Sequence, residues 1–228
     1  MPLFMPPLLR CLEHSLFLSE PQRDALLAAA AWLDGCGPAL LTALPMFLHP
    51  YLPRLLRAVL RLASIDSPAA QAVGLAAKAK ALNRALARAV PSRQLLPAMV
   101  DAVGVASQAG SAAQVELLQL LQTHVTLRPP AEARTHAAAV FDVLLSGLHF
   151  RSLQPFSEAL LLAPPAAVEA ATSAALAEVV MRLDEDSFGA FFERSLAWVA
   201  PAGVAGAASA PRFSLARALS FFRVLSGT

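Results

Sequence analysis

Prolines and glycine turns interrupt this sequence at intervals of roughly 10 to 20 residues, and this punctuation most limits what the chain can fold into. The segments between them are rich in alanine and leucine, which supply 49 and 41 of the 228 residues. Both residues are strong helix formers, whereas runs of β-branched residues typical of strands are scarce. Proline lacks the backbone donor and disfavours helix at the residue before it. The pattern therefore predicts an all-α protein of many short helices.

The steady spacing of these helices predicts a helical-repeat array. We expect roughly eleven or twelve helices, including helices over 8–18, 53–63, 69–89, 131–149 and 213–225. A linker of small residues is expected over 107–113, and a short element between Pro155 and Pro164. Successive antiparallel helices of this length form hairpins of about 40 residues, the size of HEAT or armadillo units. No internal sequence identity accompanies the spacing, so a compact helical bundle is the alternative. We predict an α-solenoid in which residues 1–228 form a single helical-repeat region, a fragment of a larger solenoid, with no separate second domain.

A mean hydropathy of +0.56 raises the question of membrane insertion. The longest charge-free stretches, residues 36–53 and 195–211, both contain prolines and glycines, and a spanning helix needs about 20 uninterrupted apolar residues. We therefore expect a soluble protein, with a membrane-associated helical protein as the weaker alternative. The two cysteines, Cys11 and Cys36, indicate buried thiols in a reducing compartment.

Positive charge is concentrated in one part of the chain. Residues 54–93 contain eight basic residues and one acid, so this window carries +7 although the whole chain carries only +2. Two sets of three recur at helical spacing, so each forms a stripe along one helix. These stripes and one further arginine form a candidate face for RNA or for an acidic protein partner: Arg54, Arg57, Arg61, Lys80, Arg84, Arg88 and Arg93. A solvated helix face without any partner explains the same pattern, and few aromatic residues are available to stack on bases.

Signatures of catalysis or of metal binding are missing from the sequence. The five histidines lack ligand spacing, and the apolar surroundings of His49 and His149 predict core packing. The acidic cluster 184–186 precedes an apolar helix and predicts a helix cap rather than a metal site. The aromatic stripe that follows it (Phe188, Phe191, Phe192 and Trp198) predicts packing against a neighbouring helix. We expect no enzymatic activity, no cofactor, no metal and no small-molecule substrate.

Four segments in order resemble a known family. Residues 43–52 (ALPMFLHPYL) and 90–98 (VPSRQLLPA) are similar to "LPxFxxPYL" and "xPxRxLLPA". Residues 139–151 (AVFDVLLSGLHFR) and 179–192 (VVMRLDEDSFGAFF), the latter followed by Trp198 and by Arg212-Phe213, are similar to "FFLxALDFR" and "VVKLxExxFRPLF". These elements are typical of the C-terminal region of the large HEAT-repeat protein of the small-subunit processome, in the U3 small nucleolar RNA-associated family.

The resemblance implies a non-enzymatic scaffold in the nucleus and nucleolus. It would act in ribosome biogenesis, in the processing of pre-18S ribosomal RNA and in transcription of the precursor. The implied partners are processome proteins, together with U3 RNA and pre-ribosomal RNA reached through the complex, and no membrane. A generic protein-interaction α-solenoid, an adaptor without any RNA role, is the alternative.

Overall fold

A computed structural model describes residues 23–43, 45–65, 67–153 and 165–199, and within these ranges the regular elements are helices and no strand occurs. The helices predicted over 8–18 and 213–225, and the short element bracketed by Pro155 and Pro164, lie outside the described residues. A π-helical turn (Trp32–Cys36) follows α1, and a 3₁₀ helix (Pro45–Tyr51) follows α2. The eleven α-helices of the described ranges are α1 (Arg23–Ala31), α2 (Gly37–Ala43), α3 (Leu52–Ala63), α4 (Pro68–Ala72), α5 (Leu75–Ala89), α6 (Ser92–Ala109), α7 (Ser111–Leu127), α8 (Pro130–Thr135), α9 (Ala137–Leu153), α10 (Pro165–Val180) and α11 (Glu185–Val199).

The longer helices lie in two layers that follow the order of the chain. Helices α3, α6 and α9 pack side by side in one layer, with α11 beside α9, while α2, α5, α7 and α10 form the other. The main buried cluster runs from Leu26 in α1 to Phe191 in α11. The all-α prediction is confirmed, and the two-layer stacking of neighbouring helices is that of an α-solenoid. None of the described helices is both long and apolar enough to cross a bilayer.

Two arginines join successive helices of the second layer in the same way, by donating side-chain hydrogen bonds to carbonyl oxygens near the end of the preceding helix. Arg128 directly follows α7, and its Nη2 donates hydrogen bonds to the carbonyl oxygens of Arg88 and Val90, at 3.0 and 2.9 Å, where α5 ends. Arg182 follows α10, and its Nε donates to the carbonyl oxygen of Val125, at 3.0 Å, in the last turn of α7. The last carbonyls of a helix lack intrahelical donors and carry partial negative charge, which a guanidinium satisfies. Each arginine therefore fastens one repeat to the one before it.

Two glycines place helix boundaries differently from the prediction. The helix predicted over 69–89 is broken at Gly74, whose φ of +63° belongs to the left-handed region that glycine adopts readily. The linker predicted over 107–113 shrinks to Gly110, with φ of +104°, because alanine and serine continue α6 and begin α7 on either side. Alanine is the strongest helix former, so these small residues extend the two helices, which pack on each other.

The segment predicted as one helix over 131–149 is divided as well. It forms α8 and α9, which separate at His136. The predicted cap at the acidic cluster is confirmed, because Asp184 Oδ1 accepts a hydrogen bond of 3.0 Å from the backbone N–H of Ser187 at the start of α11. Hydrogen bonds from Ser187 lower the pKa of the Asp184 carboxyl.

Candidate functional site

The seven predicted basic residues lie on two surfaces of the array. The stripe of α3 is half buried, and the stripe of α5 together with Arg93 at the start of α6 is exposed. Helices α3 and α5 belong to different layers, and each stripe lies opposite the buried side of its own helix. The two stripes therefore open to solvent on separate surfaces, and their role as a face for RNA or an acidic partner stays a prediction.

A polar pocket of about 270 Å³ opens between α5 and α7, beside the exposed basic stripe. Its volume lies just below the usual range for small-ligand sites, about 300 to 1,000 Å³. Helix α5 contributes two of the predicted cations, and α7 contributes mostly uncharged polar groups. The lining residues are Lys80, Asn83, Arg84, Glu116, Gln119, Leu120, Gln122 and Thr123.

Two of these residues are deeply buried polar groups. Asn83 is 3% exposed, and neither atom of its amide finds a hydrogen-bond partner among the described residues. Glu116 is 4% exposed, and Lys80 Nζ lies 3.0 Å from its Oε1, close enough for an ion pair but not aligned as a hydrogen bond. A buried polar group left without a partner costs about 1 to 3 kcal/mol, so the fold retains donors and acceptors that it does not use.

The charges of the pocket leave one cation in excess. Lys80 and Glu116 compensate each other, and Arg84 forms no ion pair with any residue that the structure describes. With an uncharged amide at its base, the pocket carries a net charge of +1. Such a site suits a ligand with one negative charge and a neutral edge of hydrogen-bond donors and acceptors.

Sequence reasoning found the cations of this pocket but missed Asn83 and Glu116. The signal for Asn83 was present, because position 83 follows Leu82 on the buried side of α5, where a polar residue is unexpected. No comparable signal marks Glu116, since α7 is apolar around much of its circumference and carries scattered polar residues.

A second buried polar cluster joins four helices. His124 Nδ1 lies 2.8 Å from the carbonyl oxygen of Ala87, which only accepts, so Nδ1 carries a proton; in the neutral imidazole Nε2 is then an acceptor, and it lies 2.9 Å from Ser92 Oγ. Ser92 Oγ also contacts the carboxylate of Glu132, and its single hydroxyl proton is donated either to that carboxylate or to Nε2. Burial lowers the pKa of His124, which favours this neutral imidazole. The cluster links α5, α6, α7 and α8, and with Ser92 only 3% exposed it acts as an internal cross-link.

The predictions for the other histidines and for the aromatic stripe need correction. His49 is exposed and His149 is half buried beside Trp198, whereas His124 is the histidine that lies in the core. In the stripe, Phe191 packs in the core against another ring, but Phe188 and Phe192 are 42% and 43% exposed. Only part of the aromatic stripe therefore packs against α9, and the part that contains Phe188 and Phe192 faces solvent. No group of three or more histidine, cysteine or acidic side chains gathers as a metal site in the described ranges.

Comparison with known proteins gives one family match. Residues 132–228 match the BP28CT (NUC211) domain, a C-terminal domain found in nucleolar ribosome-biogenesis proteins. Within the described ranges the match begins in α8 and includes α9, α10 and α11, and it contains the third and fourth segments of the sequence resemblance. The first two segments precede it. No curated protein and no solved structure matches the chain significantly.

Proposed function

We propose that the chain is a non-enzymatic HEAT-repeat scaffold of the small-subunit processome, the U3 ribonucleoprotein complex, and acts in nucleolar processing of pre-18S ribosomal RNA. The observation that carries the proposal is the BP28CT (NUC211) match over residues 132–228. The four ordered sequence segments support the finer assignment to the processome, since two of them lie outside the matched region and extend the likeness toward the N-terminus.

The physical properties of the array suit a scaffold. Its core is tied across helices by buried polar links as well as by apolar packing, because Gln114 Nε2 donates to Ser146 Oγ at 2.7 Å and so joins α7 to α9. The arginine caps at 128 and 182 add links between repeats. A repeat array of this kind presents extended outer surfaces on which several partners can assemble.

Affinity purification of the tagged full chain from its own cells tests the proposal. We expect U3 RNA and processome proteins to be recovered together, and depletion of the protein to cause accumulation of unprocessed pre-18S RNA. A matched control is an unrelated tagged helical-repeat protein of similar size and charge, which should recover neither.

The outcome that contradicts the proposal is recovery of protein partners without U3 RNA or ribosome-assembly factors. That result would instead favour the adaptor that has no RNA role. Recovery that survives nuclease treatment would indicate that protein contacts hold the chain in the complex, whereas loss on nuclease treatment would indicate attachment through RNA.

A further inference from the structure

We infer that the pocket between α5 and α7 binds a single unpaired nucleotide of an RNA strand. Asn83 and Glu116 would contact the base at the bottom of the pocket, and Arg84 the adjoining phosphate at its rim. The inference rests on the proposed function for the presence of RNA, but it assigns a direct contact that a scaffold alone does not require. It is carried by the buried, unpartnered amide of Asn83, which lines the pocket.

The donors and acceptors of the pocket match a base edge. An asparagine amide offers both a donor and an acceptor, and a carboxylate offers acceptors only. Unpaired bases are recognised through such contacts to their Watson–Crick and Hoogsteen edges, which the strand exposes only when it is not in a duplex. A guanidinium plane such as that of Arg84 can also stack on a base in place of an aromatic ring.

The charge of the pocket matches one nucleotide better than an acidic peptide. Each nucleotide in a strand brings one negative charge, which equals the single excess cation of the pocket. An acidic side chain would use Arg84, but it has no hydrogen-bond donor for the acceptor of Asn83 or for the carboxylate of Glu116. The mixed pocket therefore favours RNA over an acidic protein segment.

The basic stripe of α5 continues the same surface beyond the pocket. Lys80, Arg84 and Arg88 are spaced by four residues, which is about 6 Å along the helix axis for each step. Arg84 and Arg88 are exposed, and Arg84 lines the pocket. A strand with one base in the pocket can thus place its neighbouring phosphates along this stripe.

Binding of a labelled, short, unstructured RNA to the purified full chain, followed by fluorescence anisotropy, tests the inference. Asn83→Leu keeps the number and branching of the side-chain heavy atoms and removes a buried polar group without a partner, so the variant should be at least as resistant to thermal unfolding as the parent. We expect it nevertheless to bind the RNA roughly tenfold more weakly. A merely structural role of Asn83 would not combine these two results.

The dependence of affinity on salt separates base from phosphate contacts. For single strands the slope of log affinity against log salt concentration changes by about 0.7 for each phosphate contact. Arg84→Ala should weaken binding and reduce the steepness of that slope by about 0.7, while Asn83→Leu should leave the slope unchanged. Arg194→Ala is the control, because it makes the same charge change at an exposed position of α11, which does not line the pocket, and should preserve the affinity.

A second pocket variant and a competition experiment complete the test of RNA binding by the pocket. Gln119→Ala, at an exposed position of the pocket, should also weaken RNA binding, and it keeps the test valid if Asn83→Leu fails to fold. Duplex RNA and poly-glutamate should compete poorly. Wild-type affinity in the pocket variants, or equal competition by poly-glutamate, would overturn the inference.

The two proposals fail in different ways. If purified chain does not bind RNA through the pocket but U3 RNA and processome proteins are still recovered from cells, the scaffold stands and the pocket inference falls. If the pocket binds RNA but no processome component is recovered, the scaffold assignment falls.

Discussion

Gly147 lies where α9 packs tightly on α7 and α10, and substitution by alanine should destabilise the array. A Cβ at this position would overlap Thr172 Oγ1 of α10 and lie 3.1 Å from Leu118 Cδ1 of α7. Thr172 has little freedom to move, because it is 1% exposed and its Oγ1 donates to the carbonyl oxygen of Val168 at 2.7 Å. A methyl group at 147 must therefore push two helices apart.

The size of the effect follows from a comparison with Gly104, a helical glycine of α6 whose added Cβ would meet nothing within 4 Å. Alanine is favoured over glycine inside a helix by about 0.8 to 1 kcal/mol, so Gly104→Ala should stabilise the protein by about that amount. The same gain applies to Gly147→Ala but is opposed by an overpacking cost of about 1 to 3 kcal/mol. Because the propensity gain cancels between them, the two variants should differ by about 1 to 3 kcal/mol.

Thermal and urea unfolding followed by far-ultraviolet circular dichroism measures this difference. For a protein of this size, 1 kcal/mol shifts the melting temperature by about 2 to 4 °C. Combining Gly147→Ala with Thr172→Ala removes the overlapping atoms, so the pair should show a favourable coupling of about 0.5 to 3 kcal/mol. Equal melting temperatures for the two glycine variants, or additive effects in the pair, would refute the close approach.

Three other perturbations test the links between repeats and the buried cluster. Arg182→Ala should lower the free energy of unfolding in urea by about 1 to 3 kcal/mol, since it removes charged donors from the end of α7. The control Arg88→Ala, at an exposed side chain, should change the free energy of unfolding by less than about 0.5 kcal/mol. Equal effects of the two substitutions would contradict the capping of α7 by Arg182. The pKa of His124 is lowered from 6.5 in the fold, so the unfolded chain binds a proton at a higher pH than the folded chain does, and the free energy of unfolding should be at its full value above about pH 6.5 and fall as the pH drops below it. Unfolding measured at a series of pH values should show a shallower fall for His124→Gln than for the parent. A fall of unchanged steepness would contradict the assignment of this pH dependence to His124. Gly74→Ala should cost about 1 to 2 kcal/mol, because φ is +63° there, and an unchanged urea midpoint would argue against the break before α5.

Part of the candidate site was predictable from sequence. The spacing of Lys80, Arg84 and Arg88 at every fourth residue placed them on one helix side, and the structure exposes all three there. Their relation to the stripe of α3 was not predictable, because sequence spacing describes one helix at a time and the layer to which each helix belongs depends on packing. Glu116 reaches Lys80 from 36 positions further along the chain, a contact that no local pattern contains.

The sequence by itself determined that this chain is helical, where most of its helices lie and which residues are charged. Those properties depend on local causes, namely the propensity of alanine and leucine, the backbone limits of proline and the period of the α-helix. Only the tertiary structure decided how deeply Asn83 and His124 are buried, since the helical period places Asn83 beside Leu82 but does not show which helix covers that side. Burial depends on which helix packs on which side, and that arrangement converts an ordinary asparagine into an unpartnered amide at the base of a pocket.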